Sequence, residues 1–207
     1  MKLIEAYSKL LSIGKPIIET SEVATVLDVT PAYASQILNR LHAAKLLKKL
    51  MRSKWLFSNS KTDAISISEF ITQPHSSYVS LQTALYHHKM ISQMSSVIYL
   101  VSLARTERVD SEVGTYSIHH VLPEFFFGFE SRSTTYGLFP KMATPEKAIL
   151  DYFYLSQGKT RLFTKLPEIE LPKGFSFKCA NAMANKILSI RRKTLVLGKL
   201  EELKKNG

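Results

Sequence analysis

Two helix-start signals about ten residues apart constrain the fold of the N-terminal segment most strongly. Thr20 or Ser21 can cap one helix, and Thr30 can cap a second one. Pro31 suits the first turn of the second helix, where no backbone N–H is needed. Because only three residues separate the two helices, they cannot lie antiparallel along their full length. This spacing predicts a helix-turn-helix arrangement.

The second helix has an apolar stripe and a polar face. Its apolar residues recur at spacings of three and four, at Ala34, Ile37, Leu38 and Leu41. The candidate DNA-contacting residues lie outside this stripe and are Tyr33, Ser35, Gln36, Asn39 and Arg40. Gln, Asn and Arg match the major-groove edges of A and G, whereas Tyr and Ser can reach phosphates. An ordinary solvent-facing helix would show the same pattern, so this helix does not decide the function alone.

A basic hairpin is predicted directly after these helices. Residues 47–57 have a β-like apolar pattern, and MRSK at 51–54 can form the turn. Four basic side chains would line this wing, namely Lys48, Lys49, Arg52 and Lys54. Such side chains neutralise phosphates without reading bases. With residues 3–13 as a first helix, we predict a winged helix-turn-helix DNA-binding domain at 1–60; a winged helix that only docks proteins is the main alternative.

The distribution of charge agrees with a polyanionic partner. The chain has a formal net charge of +11. Residues 1–60 carry nine Lys and Arg against four Asp and Glu, and the other 147 residues carry 19 against 13. Net positive charge per residue is therefore about twofold higher in the first segment, which favours binding to double-stranded DNA by counterion release.

Membrane insertion and secretion are not expected. The longest apolar stretch, at 97–104, is far shorter than the roughly 20 residues of a transmembrane helix. The N-terminus carries Glu5 and Lys9 within its apolar pattern and lacks a signal-peptide cleavage site. The single Cys179 cannot form an internal disulfide. We therefore expect a cytoplasmic protein without a membrane partner.

The remaining residues predict a second domain of mixed structure. A polar stretch begins a linker at 61–76, and a C-terminal domain follows at 77–207. Residues 97–139 are strand-rich, with the Phe125–Phe127 run divided between both faces of a strand. Thr144 and Pro145 begin a helix, and a basic helical tail covers about 176–206. The predicted class is α+β, with a winged helix-turn-helix followed by a mixed domain that has an antiparallel-rich sheet and basic C-terminal helices.

The histidines and carboxylates of this second domain do not form a recognisable catalytic or metal motif. The candidate catalytic residues are His87, His88, His119, His120, Glu146 and Asp151. Adjacent histidines diverge by about 100° on a helix and face opposite sides of a strand. The two carboxylates, five residues apart, lie on different helix faces. We therefore predict a protein that is not an enzyme and that has no cofactor or metal site.

Three blocks behind the N-terminal domain carry a family resemblance. They are YVSLQTALYHHKMI at 78–91, VGTYSIHHV at 113–121 with FFFGFE at 125–130, and MATPEKAILDYFYL at 142–155. In this order the chain resembles the AbiE-type antitoxins (AbiEi) of bacterial toxin–antitoxin systems over nearly its whole length. The third block carries the phrase alanine-x-proline-glutamate-lysine-alanine ahead of an aspartate-containing helix, at Ala143, Pro145, Glu146, Lys147, Ala148 and Asp151.

The resemblance implies a bifunctional protein. Its N-terminal domain would bind inverted repeats in its own promoter and repress transcription. Its C-terminal domain would neutralise a nucleotidyltransferase-like toxin, as a type IV antitoxin that forms no stable toxin complex. The alternative is a stand-alone winged-helix transcriptional regulator whose C-terminal domain senses a ligand or a protein.

Overall fold

The computed structural model describes residues 2–132, 138–156 and 168–206. The chain divides into two compact units, of which the first comprises Met1–Ala64 and Val109–Gly114 and the second comprises Ile65–Arg108 and Thr115–Gly207. Helices and sheets occur together in the chain, so the predicted α+β class is confirmed.

The first unit combines three helices with a small sheet. Its helices are α1 (Leu3–Leu11), α2 (Thr20–Leu27) and α3 (Pro31–Ala43). Its strands are β1 (Ile17–Glu19), β2 (Leu47–Met51) and β3 (Lys54–Phe57). The sheet is antiparallel in the order β1-β3-β2. The predicted hairpin of β2 and β3 is confirmed, and its turn lies at Arg52 and Ser53.

The starts of α2 and α3 differ in how they are capped. The Thr30 hydroxyl accepts a hydrogen bond of 3.3 Å from the Tyr33 amide, and Pro31 occupies the first turn of α3, as predicted. At α2 the capping prediction is wrong, because the N-cap is Glu19 and its side chain makes no capping bond. Asp28 has a left-handed φ of 52°, which ends α2 and forms the tight turn before α3.

The core of the first unit lies between the helices and the sheet. The predicted stripe on α3 is buried at all four of its positions, each at most 2% exposed. The stripe belongs to one hydrophobic cluster with apolar side chains from α1, α2 and the three strands, namely Leu10, Ile18, Val23, Leu27, Leu47, Trp55 and Phe57. Burial of these side chains fixes the orientation of α3 and leaves its polar face to solvent.

The second unit contains a mixed sheet and five helices among its described residues. The strands of this sheet are β4 (Ser77–Val79), β5 (Val97–Ser102), β6 (Glu107–Asp110), β7 (Thr115–His120), β8 (Phe129–Ser131) and β9 (Lys141–Ala143). Val109 and Asp110, at the end of β6, are grouped with the first unit. Its helices are α4 (Ser68–Thr72), α5 (Leu81–His87), α6 (Pro145–Leu155), α7 (Phe177–Ala184) and α8 (Ile190–Asn206). The strand order is β6-β7-β5-β4-β9-β8. The pairs β4–β5 and β8–β9 are antiparallel, whereas β5–β7 and β4–β9 are parallel.

Two details of the second unit differ from the sequence predictions. Pro123 begins a 3₁₀ turn over Pro123–Phe125, so the three phenylalanines do not lie on a strand. Residues 65–76, within the segment predicted as a linker, belong to the second unit and include α4. Ile67 and Ile71 there are at most 2% exposed, because they contribute to the core.

A buried ion pair lies at the centre of α6. The Lys147 ammonium is 2.8 Å from a carboxylate oxygen of Asp151, and both side chains have no exposed surface. Tyr78 and Ser80, from β4 and the start of α5, donate hydrogen bonds of 3.2 and 2.6 Å to the same carboxylate. Lys147 also donates to the Phe125 carbonyl at 2.9 Å. Every polar atom of this pair therefore has partners from other elements.

Close packing around Lys147 requires a glycine. The ammonium lies 3.4 Å from the ring centroid of Phe125, in a cation–π contact. Gly128 has a φ of +76°, and a Cβ there would approach the Lys147 Cγ to 3.1 Å. A larger residue at 128 would be strained and would displace the lysine.

We expect Asp151→Ala to lower the free energy of unfolding by about 3 to 5 kcal/mol, because it leaves the Lys147 charge buried and unpaired. Lys141→Met breaks the half-exposed pair with Glu69 and should cost about 1 kcal/mol or less. Chemical unfolding followed by fluorescence measures both. Equal losses in the two variants would contradict the structural importance of the buried pair.

Candidate nucleic-acid interface

The polar face of α3 is the first part of the candidate interface. Tyr33 is 37% exposed, and Gln36, Asn39 and Arg40 are exposed, whereas Ser35 is half-buried. The side chains of Gln36, Asn39 and Arg40 form no hydrogen bond or ion pair with any described residue. Their donors and acceptors are therefore available to an external partner.

The hairpin of β2 and β3 supplies the second part. Lys48, Lys49 and Arg52 are exposed. The Lys49 ammonium lies 5.5 Å from the ring centroid of Trp55, so its stem lies along the sheet. Lys54 differs from the other three, because its side chain is only 11% exposed and its ammonium is 3.8 Å from a Glu19 carboxylate oxygen. Burial lowers the pKa of Lys54, and the Glu19 charge opposes this shift.

Trp55 fixes the hairpin relative to the helices. Its ring is 3% exposed, and its indole N–H donates to the Thr20 hydroxyl at 3.2 Å. The His42 ring, from the last turn of α3, packs against it with 5.9 Å between centroids. These contacts join α3, the start of α2 and β3, so the polar face of α3 and the hairpin keep a fixed geometry.

Sequence reasoning missed an acidic residue beside this surface. Glu112, in the Val109–Gly114 part of the first unit, has a carboxylate oxygen 2.5 Å from the His42 Nε2. Its backbone N–H donates to the Lys49 carbonyl at 3.3 Å. A separation of 70 residues from His42 leaves no local sequence signal for this contact.

The arrangement is suited to binding a polyanion. Cations project from the hairpin, and amide and guanidinium groups project from α3. A cation on a hairpin holds phosphates, while forked side chains on a helix can read base edges. The 109–114 segment brings one carboxylate, that of Glu112, into contact with His42 on α3.

The histidines of the second unit have separate partners. His87 contacts the Arg132 guanidinium at 2.5 Å, and the His88 Nε2 lies 2.8 Å from the Ala143 carbonyl. Their rings are edge-on, with 5.9 Å between centroids. His119 contacts the Ser117 hydroxyl at 3.0 Å, and the His120 Nδ1 lies 3.1 Å from the Ala104 carbonyl.

The candidate catalytic carboxylates are also engaged in the fold. Glu146 accepts a hydrogen bond of 2.9 Å from the Ser176 amide, and Asp151 lies in the buried ion pair. Burial raises the pKa of the Asp151 carboxyl, although the Lys147 charge opposes the shift. Within residues 2–132, 138–156 and 168–206, no three His, Cys, Asp or Glu side chains are placed to hold a metal ion.

Comparison of the sequence with protein-family models and with characterised proteins finds no match. In the described part of the chain, no helix combines the length and the hydropathy required to cross a membrane.

The pH dependence of folding should report on His119. Burial lowers its pKa to about 4 from an ordinary value of 6.5. Between these values the unfolded chain takes up a proton that the folded chain does not, so the free energy of unfolding should fall as the pH drops from about 6.5 to 4. Urea unfolding at pH 7 and pH 5 measures this loss, which should shrink in His119→Gln. An unchanged pH dependence in the variant would contradict the assignment.

Proposed function

We propose that the first unit is a winged helix-turn-helix domain that binds double-stranded DNA. The observation that carries this proposal is the polar face of α3, free of described partners, held beside three exposed cations of the hairpin. The element order α1-β1-α2-α3-β2-β3 supports it, because winged domains place a hairpin after the recognition helix. A unit of this kind needs no catalytic group or cofactor.

In this proposal α3 enters the major groove. Gln36, Asn39 and Arg40 contact base edges, while Tyr33 and Ser35 contact phosphates from the first half of the helix. Lys48, Lys49 and Arg52 bind the backbone alongside and set the register of α3. Lys54 contributes mainly to the hairpin itself, since its ammonium faces Glu19.

We further propose that the whole chain is an autorepressor and antitoxin that acts in the cytoplasm. The proposal extends the resemblance to AbiE-type antitoxins, with inverted repeats in its own promoter as the DNA target and a nucleotidyltransferase-like toxin as the functional partner. Hydrogen bonds between two of the sequence blocks that carry the resemblance support this proposal. Tyr78 and Ser80 of the first block donate to the Asp151 carboxylate of the third. The blocks are thus parts of one folded unit.

Substitutions should separate the two kinds of DNA contact. Replacing Gln36 or Arg40 by Ala should cost about 1 to 3 kcal/mol of binding to the promoter inverted repeats and leave binding to arbitrary duplexes nearly unchanged. Replacing Lys49 or Arg52 by Ala should weaken binding to every duplex and reduce the salt slope by about one unit each. Fluorescence anisotropy over a range of salt concentrations measures both effects.

Lys9→Ala is the charge-matched control for these variants, because Lys9 is exposed on α1. It should change DNA binding less than Lys49→Ala or Arg52→Ala. If the α3 and hairpin variants all bind like the unaltered chain, the assigned interface is wrong.

The antitoxin part is tested by co-expression with the nucleotidyltransferase-like protein expected from the neighbouring gene. Growth arrest by that protein should be relieved by this chain and also by its Arg40→Ala variant, because neutralisation is assigned to the second unit. Continued arrest would contradict the antitoxin proposal and leave a transcriptional regulator. In that case an effector is best sought at a cavity of about 470 Å³ in the second unit, whose lining includes Tyr86, Lys89, Met90, Glu168 and Glu170.

A further inference from the structure

We propose that Glu112 competes with DNA phosphate for His42, so that the Val109–Gly114 turn limits non-specific DNA binding. The inference rests on the proposed DNA-binding function and assigns an autoinhibitory contact to it. Glu112 and His42 both belong to the first unit. Neither residue is among those that the sequence pattern marks as DNA-contacting.

The turn that carries Glu112 is held by its own hydrogen bonds. The Ser111 hydroxyl donates to the Gly114 carbonyl at 2.8 Å and accepts from the amides of Val113 and Gly114 at 3.2 Å each. The Ser111 amide also donates to the Gly114 carbonyl at 3.1 Å. These local bonds shape the turn, and the bond from the Glu112 amide to the Lys49 carbonyl at 3.3 Å attaches it to β2.

The contact between Glu112 and His42 is exposed enough to be displaced. The side chains are 44% and 36% exposed, respectively, and the carboxylate oxygen lies 2.5 Å from the His42 Nε2. Ion pairs at this exposure contribute little to stability, because water screens them. A ring N–H that donates to a carboxylate oxygen can donate equally well to a phosphate oxygen. DNA can therefore replace Glu112 at this donor.

The turn that carries Glu112 is bonded to the hairpin. The Glu112 amide binds the carbonyl of Lys49 on β2, whose side chain is assigned to phosphate. His42 packs against Trp55, over which the Lys49 ammonium lies. A negative charge at this point opposes the phosphate contacts that supply nearly all of non-specific binding.

The test compares Glu112→Gln with the unaltered full chain in binding to a duplex of arbitrary sequence at low salt. The variant should bind about two- to fivefold more tightly, which corresponds to the strength of an exposed pair. Glu5→Gln is the matched control, since it makes the same change of net charge on α1, where Glu5 accepts a hydrogen bond from the Lys2 amide. A gain no larger than that of Glu5→Gln would overturn the inference.

A second arm tests whether the effect acts through His42. His42→Phe keeps a ring against Trp55 but removes the N–H donor, and thermal unfolding checks that each variant is folded. In this background the gain from Glu112→Gln should fall to that of Glu5→Gln. An undiminished gain would show a general charge effect and overturn competition at His42. If the unaltered chain binds no duplex even at low salt, the proposed function itself fails.

Discussion

Two opposite charges meet in the interior of the second unit, where the side chains of Lys147 and Asp151 have no exposed surface. Water cannot solvate them, so the fold must supply every hydrogen-bonding partner. Tyr78, Ser80 and the Phe125 carbonyl do so, and they come from β4, the start of α5 and the 3₁₀ turn. The pair therefore specifies how α6 lies against these elements, beyond what apolar burial alone would fix.

The burial of this ion pair could not be predicted from the sequence. The helix cap at Thr144 and the helix that follows were predictable from local chemistry. The sequence does not mark Lys147 and Asp151 as core residues, because charged residues normally lie at the surface. In the structure residues 147–154 are all buried. The periodicity of this stretch therefore cannot separate a buried face from a solvent-exposed one. Only the tertiary partners identify Lys147 and Asp151 as core residues.

More of the first unit could be predicted from the sequence, because the sequence signals for its elements are local. The Thr30 cap, the α3 stripe and the hairpin turn each depend on residues within a few positions of one another. Contacts over long separations were missed, such as the one between His42 and Glu112. The buried position of Lys54 was missed as well, because it follows from the pairing of β3 with both neighbouring strands.

In the proposed complex, α3 of the first unit lies in the major groove of DNA. A DNA-cleaving iron chelate attached to Ala32→Cys, an exposed position of α3, tests it directly, with the exposed Cys179 replaced by Ser. On the DNA upstream of its own coding sequence, we expect localised cleavage within each inverted repeat. The same chelate at Ser8→Cys on α1 should give much weaker cleavage. Equal cleavage from both positions, or cleavage from Ser8→Cys alone, would contradict the claim.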